Sequence, residues 1–483
     1  MLIPVMEARA RRGGARRLGV VLGTSLALGA LCAAASGEAA AAGTGSEPDP
    51  LPAQPDAGQS PAPITLPAVV VVGTTPLLGL GTPLAKVPAN VQTVRADDLE
   101  TQRRETLTDF FAANLPSVSV ADAQGNPFQM NLIYRGFTAS PLLGTPQGLS
   151  VFVDGVRVNE PFGDVVNWDL IPTEAIDKIQ LIPGSNPVYG LNTLGGAIAI
   201  TTKNGRTSPG GDLDLSGGSW GRKSAQFEQG GTLGPHVDYY ANANVMNDNG
   251  WADHDASRVR QGFGKLRYTD DDTMLAISGG GADNSLYGSQ TIPRSFLDNP
   301  NQAYTFPDLN RNSVGYLTVS GDHFFSDNVE LSGNAYYRHL RNENVSSNNN
   351  TDYGSVDENG NVDTLEGTNV DSVVTTDSFG ASLQLTLLGK LGGIGSQLVA
   401  GVAADFANSH YVSSSQDATF APDRATIGIG NFVQQTDAKT RNVNYGVYLN
   451  ETLSLTPQWT LTLSGRYDWS SARIGDESGL QPL

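Results

Sequence analysis

Six carboxylates crowd a short stretch of the sequence: Asp154, Glu160, Asp164, Asp169, Glu174 and Asp177. Paired carboxylates can pass a proton between general-acid and general-base roles. The surrounding segment, residues 74–205, contains no His and no Cys to share that work, so a solvated acidic face is the better reading. The five histidines (His236, His254, His323, His339, His410) are far apart and lack the i, i+4 spacing of a helical metal pair. Cys32 is the single cysteine, which excludes a disulfide framework and a Cys-based zinc site. No catalytic residue, metal ligand or cofactor is expected. The remaining candidate chemistry belongs to the backbone. Leu66, Pro67, Ala68, Val69, Val70, Val71, Val72 and Gly73 form a β-prone run behind a Pro/Gly/Ser-rich stretch, residues 43–63. The run could be the first strand of the domain that follows. It could equally lend its backbone to the sheet edge of another protein, where sequence matters little. The flexible tether in front of it favours the second reading.

The elements around these residues describe a small α/β domain over residues 74–205. Val91–Val94 reads as a strand. Asp97–Asn114 reads as one helix, with Leu99, Leu107, Phe110 and Phe111 apolar and Pro116 beyond its end. Val118, Val120 and Asn131–Arg135 read as strands. Leu149–Val153 and Val156–Val158 flank Asp154-Gly155, a strong hairpin signal. Thr173 is placed to cap a short helix through Ala175 and Ile176. Ile179–Ile182 and Ala197–Thr202 complete a mixed sheet.

Beyond residue 210 the period changes to two. Trp459, Leu461, Leu463, Gly465, Tyr467 and Trp469 share one face of a strand, while Thr460, Thr462, Ser464, Arg466, Asp468 and Ser470 share the other. Eleven such strands are expected, at 211–218, 223–232, 237–248, 259–269, 272–283, 313–323, 328–341, 376–389, 396–413, 440–455 and 458–474. Short connections alternate with long polar ones at 247–258, 284–312, 342–375 and 414–439. An apolar outer face, short turns at one end and long loops at the other are the plan of an outer-membrane β-barrel. A soluble β-sandwich would need a second apolar layer to cover that face, and no segments supply one.

Composition agrees. The chain has 483 residues, 56 glycines and only 16% charged residues, with a mean hydropathy of −0.22. That excludes a bundle of membrane helices. A formal net charge of −19 argues against a nucleic-acid partner. Residues 1–42 read as a cleavable signal peptide: Arg9, Arg11, Arg12, Arg16 and Arg17 precede the apolar run 18–35, and Ala39–Ala42 offers a cleavage site. The alternative is an uncleaved anchor, since the run nearly reaches membrane-spanning length. Cleavage would remove Cys32 with the leader.

Several motifs then occur in order. Ile133–Phe137 reads IYRGF, Val151–Asn159 reads VFVDGVRVN, and residues 176–203 read IDKIQLIPGSNPVYGLNTLGGAIAITTK. With the run Leu66–Gly73 in front, the sequence resembles the TonB-dependent receptor family. The resemblance covers residues 64–205 in motif detail and the remainder in pattern only. It implies a TonB box at residues 64–73, a plug domain at 74–205, and a transmembrane β-barrel from 210 to 483 in an outer membrane. Arg135, Gly136, Phe137, Asp154, Gly155, Tyr189, Gly190, Gly195 and Gly196 take the places of the plug motifs, and Arg135 resembles a residue that pairs with barrel carboxylates. The expected partners are the TonB complex of the inner membrane, outer-membrane lipid and a small-molecule ligand, with the receptor acting as a monomer.

The family's barrels have 22 strands. Residues 210–483 give 274 residues for eleven strands, and 22 would need about 550 at the same spacing. The expectation is therefore a truncated chain carrying half of a barrel. The favoured function is active import of a scarce ligand, by default a ferric siderophore, with cobalamin, other metal chelates and oligosaccharides as alternatives. The competing class is a passive porin or surface-binding barrel without energy coupling.

Overall fold

The computed structural model describes residues 71–479, apart from 74, 78, 103, 289 and 290. The signal peptide, the linker and residues 64–70 of the TonB-box segment lie outside the described residues. No described helix is long and apolar enough to cross a membrane, which says nothing of strands.

The N-terminal part is built on a mixed five-stranded sheet. Strands β1 (Val71–Val72) and β2 (Thr82–Pro83) form a small antiparallel pair beside it. After β3 (Gln92–Arg95) come α1 (Ala96–Gln102) and α2 (Leu107–Asn114). A three-stranded sheet follows, β4 (Val118–Ala121), β5 (Asn131–Tyr134) and β6 (Phe137–Ala139). Strands β7 (Leu149–Val153), β8 (Val156–Arg157), β9 (Ile176–Pro183) and β10 (Gly196–Thr202) join β3 in the order β3-β9-β10-β7-β8. Only β10 and β7 run parallel in this sheet.

One helix was expected over Asp97–Asn114, and two are found. The break has a local cause: Thr106 leaves helical geometry and its hydroxyl accepts from the Asp109 amide, capping α2. Such a cap is typically worth about 1 kcal/mol. Thr173 caps nothing; it is the first residue of a 3-10 turn, Thr173–Ala175, entered from Pro172 without a side-chain cap. The core lies between the helices and the mixed sheet, with Phe110, Phe111, Leu132, Tyr134, Ile179, Leu181 and Ile198 all fully buried. Trp168 packs edge-on against Phe111. Each such side chain contributes roughly 1.5–3 kcal/mol by leaving water.

The second part is one antiparallel sheet of eleven strands in sequence order: β11 (Gly210–Gly217), β12 (Lys223–Leu233), β13 (Val237–Asp248), β14 (Ser257–Thr269), β15 (Thr273–Tyr287), β16 (Leu309–Ser326), β17 (Val329–Asn349), β18 (Gly367–Leu391), β19 (Ile394–Phe420), β20 (Thr426–Ser454) and β21 (Thr460–Asp476). The strand count and the alternation match the expectation. Of the long polar connections, those at 247–258 and 284–312 are found as loops over 249–256 and 288–308, whereas at least half of each of those at 342–375 and 414–439 is strand. Residues 414–439 are almost wholly strand, and the turn between β19 and β20 is only 421–425. Antiparallel pairing needs no apolar face once a hairpin has left the membrane, so the ladder continues through polar sequence. The same is true of the hairpin β17–β18, which turns at 350–366.

One face of the sheet packs on the N-terminal domain, from β13 against Thr173–Ala175 to β20 and β21 against Pro187–Tyr189. The other face is apolar and exposed, with Leu266, Leu317, Leu383, Val447, Leu463 and Trp469 among its side chains. That is the signature of a lipid-facing wall. Among the described residues, β11 pairs only with β12 and β21 only with β20, so the sheet has two edges.

Candidate functional site

The sheet's two rims differ, and this difference orients the molecule. Short turns lie at one rim (234–236, 270–272, 327–328, 392–393, 455–459) and the extended hairpins at the other. Val72 and Gly73, the last residues of the β-prone run, sit near the short-turn rim. Val72 is fully buried, among Val91, Phe152, Ile182, Tyr189 and Ala197. Gly73 is held at both of its backbone groups: its amide donates to Gln180 Oε1 at 3.3 Å, and its carbonyl accepts from the Tyr189 hydroxyl at 2.8 Å. The chain then reaches the wall of the sheet. The Leu80 amide donates to both oxygens of Glu330, at 3.1 and 3.0 Å, and Thr82 bonds Gln397 at 3.3 Å. Glu330 and Gln397 each lie a few residues from a short turn.

The acidic cluster is not a solvated face. Asp154, Glu160 and Asp169 are 6%, 2% and 2% exposed, and each points at the sheet. Asp154 pairs with Lys265 of β14 at 2.9 Å and also accepts from the amide and hydroxyl of Thr202. Glu160 pairs with Arg338 of β17 at 2.7 Å. Asp169 accepts from Asn284 of β15 and Asn312 of β16 at 2.8–3.0 Å. Burial pushes the Asp169 carboxyl up to about 6, against the lowering effect of those two amides. Burial also raises Glu160, opposed by Arg338. Their partners on the sheet lie 100 or more residues away, which is why local sequence reads them as solvated. Asp164 and Asp177 are not buried in this way; Asp164 pairs with Arg157 within the same domain.

Further charged contacts tie the domain to the sheet at Lys203, which bonds Glu100 and Glu228 at 2.7 and 2.9 Å. At the junction, buried Asp238 accepts from Arg206, Arg267 and the Gly205 amide. Lys203 closes the motif 176–203, whereas Lys265 and Arg338 were not singled out by sequence reasoning. For those two, a basic residue at an inward position of a two-residue period was the available signal.

Arg135 lies apart from the carboxylates of the described strands. It sits exposed at the turn between β5 and β6 at φ 50°, over the ring of Tyr134, and none of the described carboxylates pairs with it. Gly136 follows at φ 85°, a conformation L side chains rarely adopt. Phe137 is partly exposed and closes over Gly195, where an added Cβ would lie 2.4 Å from the Phe137 side chain. Asp154 and Gly155 form the expected hairpin turn, and Gly155 allows Pro76 and Asn334 to approach. Tyr189 is buried edge-on against Phe152, and a Cβ on Gly190 would meet the Arg466 guanidinium. A Cβ on Gly196 would meet the Ile182 carbonyl at 2.6 Å. The glycines of the motifs are therefore explained by close approach, within the domain or to the sheet.

At the extended rim, the turn 122–130 of the N-terminal domain touches the sheet. Asn126 bonds Ser257 and the Tyr287 carbonyl, and Gln124 accepts from Asn310. Phe162, on a second turn, stacks on Tyr411. A cavity of about 670 Å³ separates α1 and α2 from strands β11–β14. Trp168 Nε1 and Asn244 Oδ1 are buried beside it without a hydrogen-bond partner in the protein. Among the described residues no group of carboxylate, His or Cys side chains is arranged to hold a metal ion.

Residues 83–197 match the model of the TonB-dependent receptor plug domain, and residues 201–481 match that of the TonB-dependent receptor-like β-barrel. Among curated proteins, the rhizobactin receptor of Rhizobium meliloti is 28% identical over 170 residues, covering 34% of this chain and 21% of that protein. The ferric aerobactin receptor of Klebsiella pneumoniae is 33% identical over 105 residues, 22% of this chain and 13% of that one. The vitamin B12 transporter BtuB of Vibrio vulnificus is 28% identical over 151 residues, 31% and 23%. Among solved structures, the unliganded ferric citrate transporter FecA superposes with a TM-score of 0.67 at 13% identity, over 82% of this chain and 58% of that one. The siderophore receptor PiuA of Acinetobacter baumannii gives 0.64 at 17%, over 82% and 60%. The chain thus spans about three fifths of the length of these solved relatives. It belongs to the TonB-dependent receptor family.

Proposed function

We propose that this TonB-dependent receptor takes up a scarce ligand across the outer membrane, and that residues 66–73 are its TonB box. The observation that carries the reading is the placement of Val72 and Gly73. The segment enters the plug near the short-turn rim, opposite the extended hairpins, and its backbone is bonded to Gln180 and Tyr189. A partner strand added to residues 66–71 would pull on a chain already tied to β9 and to the turn Pro187–Tyr189. Tension would then reach the plug through hydrogen bonds and side-chain packing, with no intervening slack. The ion pairs at Asp154, Glu160 and Lys203 hold the plug against the wall until it is pulled.

The working form is a closed barrel. Strands β11 and β21 each carry an edge of backbone donors and acceptors that lipid cannot satisfy, so both edges need strand partners. The ligand class is a metal chelate or cobalamin-like molecule. Relatives named for rhizobactin, ferric aerobactin and vitamin B12 support that range.

Deletion of residues 66–73 tests the reading in iron-starved cells. Energised accumulation of ligand collapses in the deletion strain if the segment is the TonB box. Accumulation that survives the deletion identifies a passive pore instead.

A further inference from the structure

A second cavity, of about 480 Å³, opens at the extended rim between the plug turn 122–127, the turn 218–222 and the loop 249–256. Its lining carries Glu105, Asp109, Asp122, Asp248 and Asp255 against one cation, Arg222, which pairs with Glu105. Asp248 ends β13 and Asp255 lies in the loop that follows it, while the other three belong to the plug. Asp255 lines the cavity and is 2% exposed, and one of its carboxylate oxygens, Oδ1, is buried without a hydrogen-bond partner. A buried carboxylate oxygen with no donor is a costly arrangement unless a donor arrives. Burial, then the charges of Asp248 and Asp122, push the Asp255 carboxyl up to about 7, with a backbone hydrogen bond at Ala252 acting the other way.

Two indoles frame the opening. Trp220 is 60% exposed and Trp251 is 47% exposed. Their loops are locked together, since the Asn249 amide donates to the Trp220 carbonyl at 3.2 Å. The loop 249–256 is braced in turn by Asn301, which bonds Asp253 and the Trp251 carbonyl. Exposed indoles beside uncompensated carboxylates attract cations through the ring face and the charge together. The carboxylates do not form a metal-binding set. A cation with several spaced N–H donors fits this lining better than a bare ion does.

We propose that this outer cavity is a binding site for an organic cation, the ammonium- or guanidinium-bearing part of a ligand, with Asp255 and Asp122 accepting its N–H groups and Trp220 and Trp251 covering its carbon chain. The proposal deepens the uptake reading and rests on it for the statement that this rim faces outward.

Spermidine is a suitable probe, added to the purified full-length receptor in detergent at constant ionic strength. Tryptophan fluorescence is the readout, with Trp220→Phe and Trp251→Phe assigning the signal. The expected result is saturable quenching by spermidine that magnesium chloride does not reproduce. Asp255→Asn and Asp122→Asn each raise the midpoint about tenfold, equivalent to about 1.4 kcal/mol. Asp122 is exposed, so its variant tests the site even if the Asp255 variant folds poorly. The proposal is overturned by an absence of saturable quenching, by an equal response to magnesium, or by an unchanged midpoint in both Asp variants. Deleting residues 66–73 leaves spermidine binding intact. No saturable spermidine binding by the intact receptor, with uptake that collapses on the deletion, therefore overturns this proposal alone; saturable spermidine binding with uptake that survives the deletion overturns the uptake reading alone.

Discussion

The Tyr189 hydroxyl donates to the Gly73 carbonyl at 2.8 Å, joining positions 116 residues apart. This bond lies at the last residue of the proposed TonB box. On that proposal, a motif tyrosine is part of the mechanical link between the box and the plug. Tyr189→Phe removes the bond and keeps the ring that packs on Phe152. One such bond contributes about 1 kcal/mol net. Amide exchange at Val72 and neighbouring residues should accelerate by about fivefold in the variant, read by hydrogen–deuterium exchange of the native receptor. Exchange that stays at the wild-type rate would show that Tyr189 does not hold the segment.

The pair Glu160–Arg338 is buried on both sides, at 3% and 10% side-chain exposure. Removing one partner leaves the other charge without compensation, at a cost of about 3–5 kcal/mol. Arg338→Met should lower the midpoint of plug unfolding, followed by limited proteolysis across a urea series. Adding Glu160→Leu should restore much of the loss, because the double variant leaves no isolated buried charge. Equal midpoints for Arg338→Met and wild type would mean that the pair is not what fastens this part of the plug.

Asp169 gives a pH dependence with a definite sign. Its carboxyl is raised from an ordinary value of 3.8 to about 6 by burial. The folded state therefore holds this proton more tightly than the unfolded state. Stability from this group is present below about pH 4 and is lost as pH rises to about 6, by roughly 3 kcal/mol if the whole shift is realised. Exposed carboxylates such as Asp357 and Asp363 are lowered and act in the opposite direction. The test is the difference between wild type and Asp169→Asn in urea midpoints from pH 4 to 7. That difference should change with pH over this window. A constant difference would mean that Asp169 stays ionised throughout.

Much of the architecture was legible before any coordinates. Alternation in stretches such as Trp459–Ser470 marks an inner and an outer face, because side chains in a strand have a period of two. The motif glycines were legible as motifs, though the reasons for Gly190 and Gly195 are contacts with Arg466 and Phe137. The split between α1 and α2 was hidden by a shared apolar pattern across Thr106. The burial of Asp154, Glu160 and Asp169 was hidden because Lys265, Arg338, Asn284 and Asn312 come from distant strands. The hairpin extensions were missed because polar strands above a membrane lose the apolar half of their pattern. Arg135 matches its motif by place in the chain, and its guanidinium lies over the ring of Tyr134.

The central claim is that residues 66–73 engage TonB, and site-directed thiol cross-linking in energised cells tests it most directly. Val70→Cys, in a chain with Cys32→Ser, would be paired with a cysteine series along the TonB C-terminal domain, with a cysteine at Ser60 as the control. The account predicts a receptor–TonB cross-link from position 70 that strengthens when ligand is supplied, and none from position 60. Equal cross-linking from both positions, or none from position 70, would contradict it.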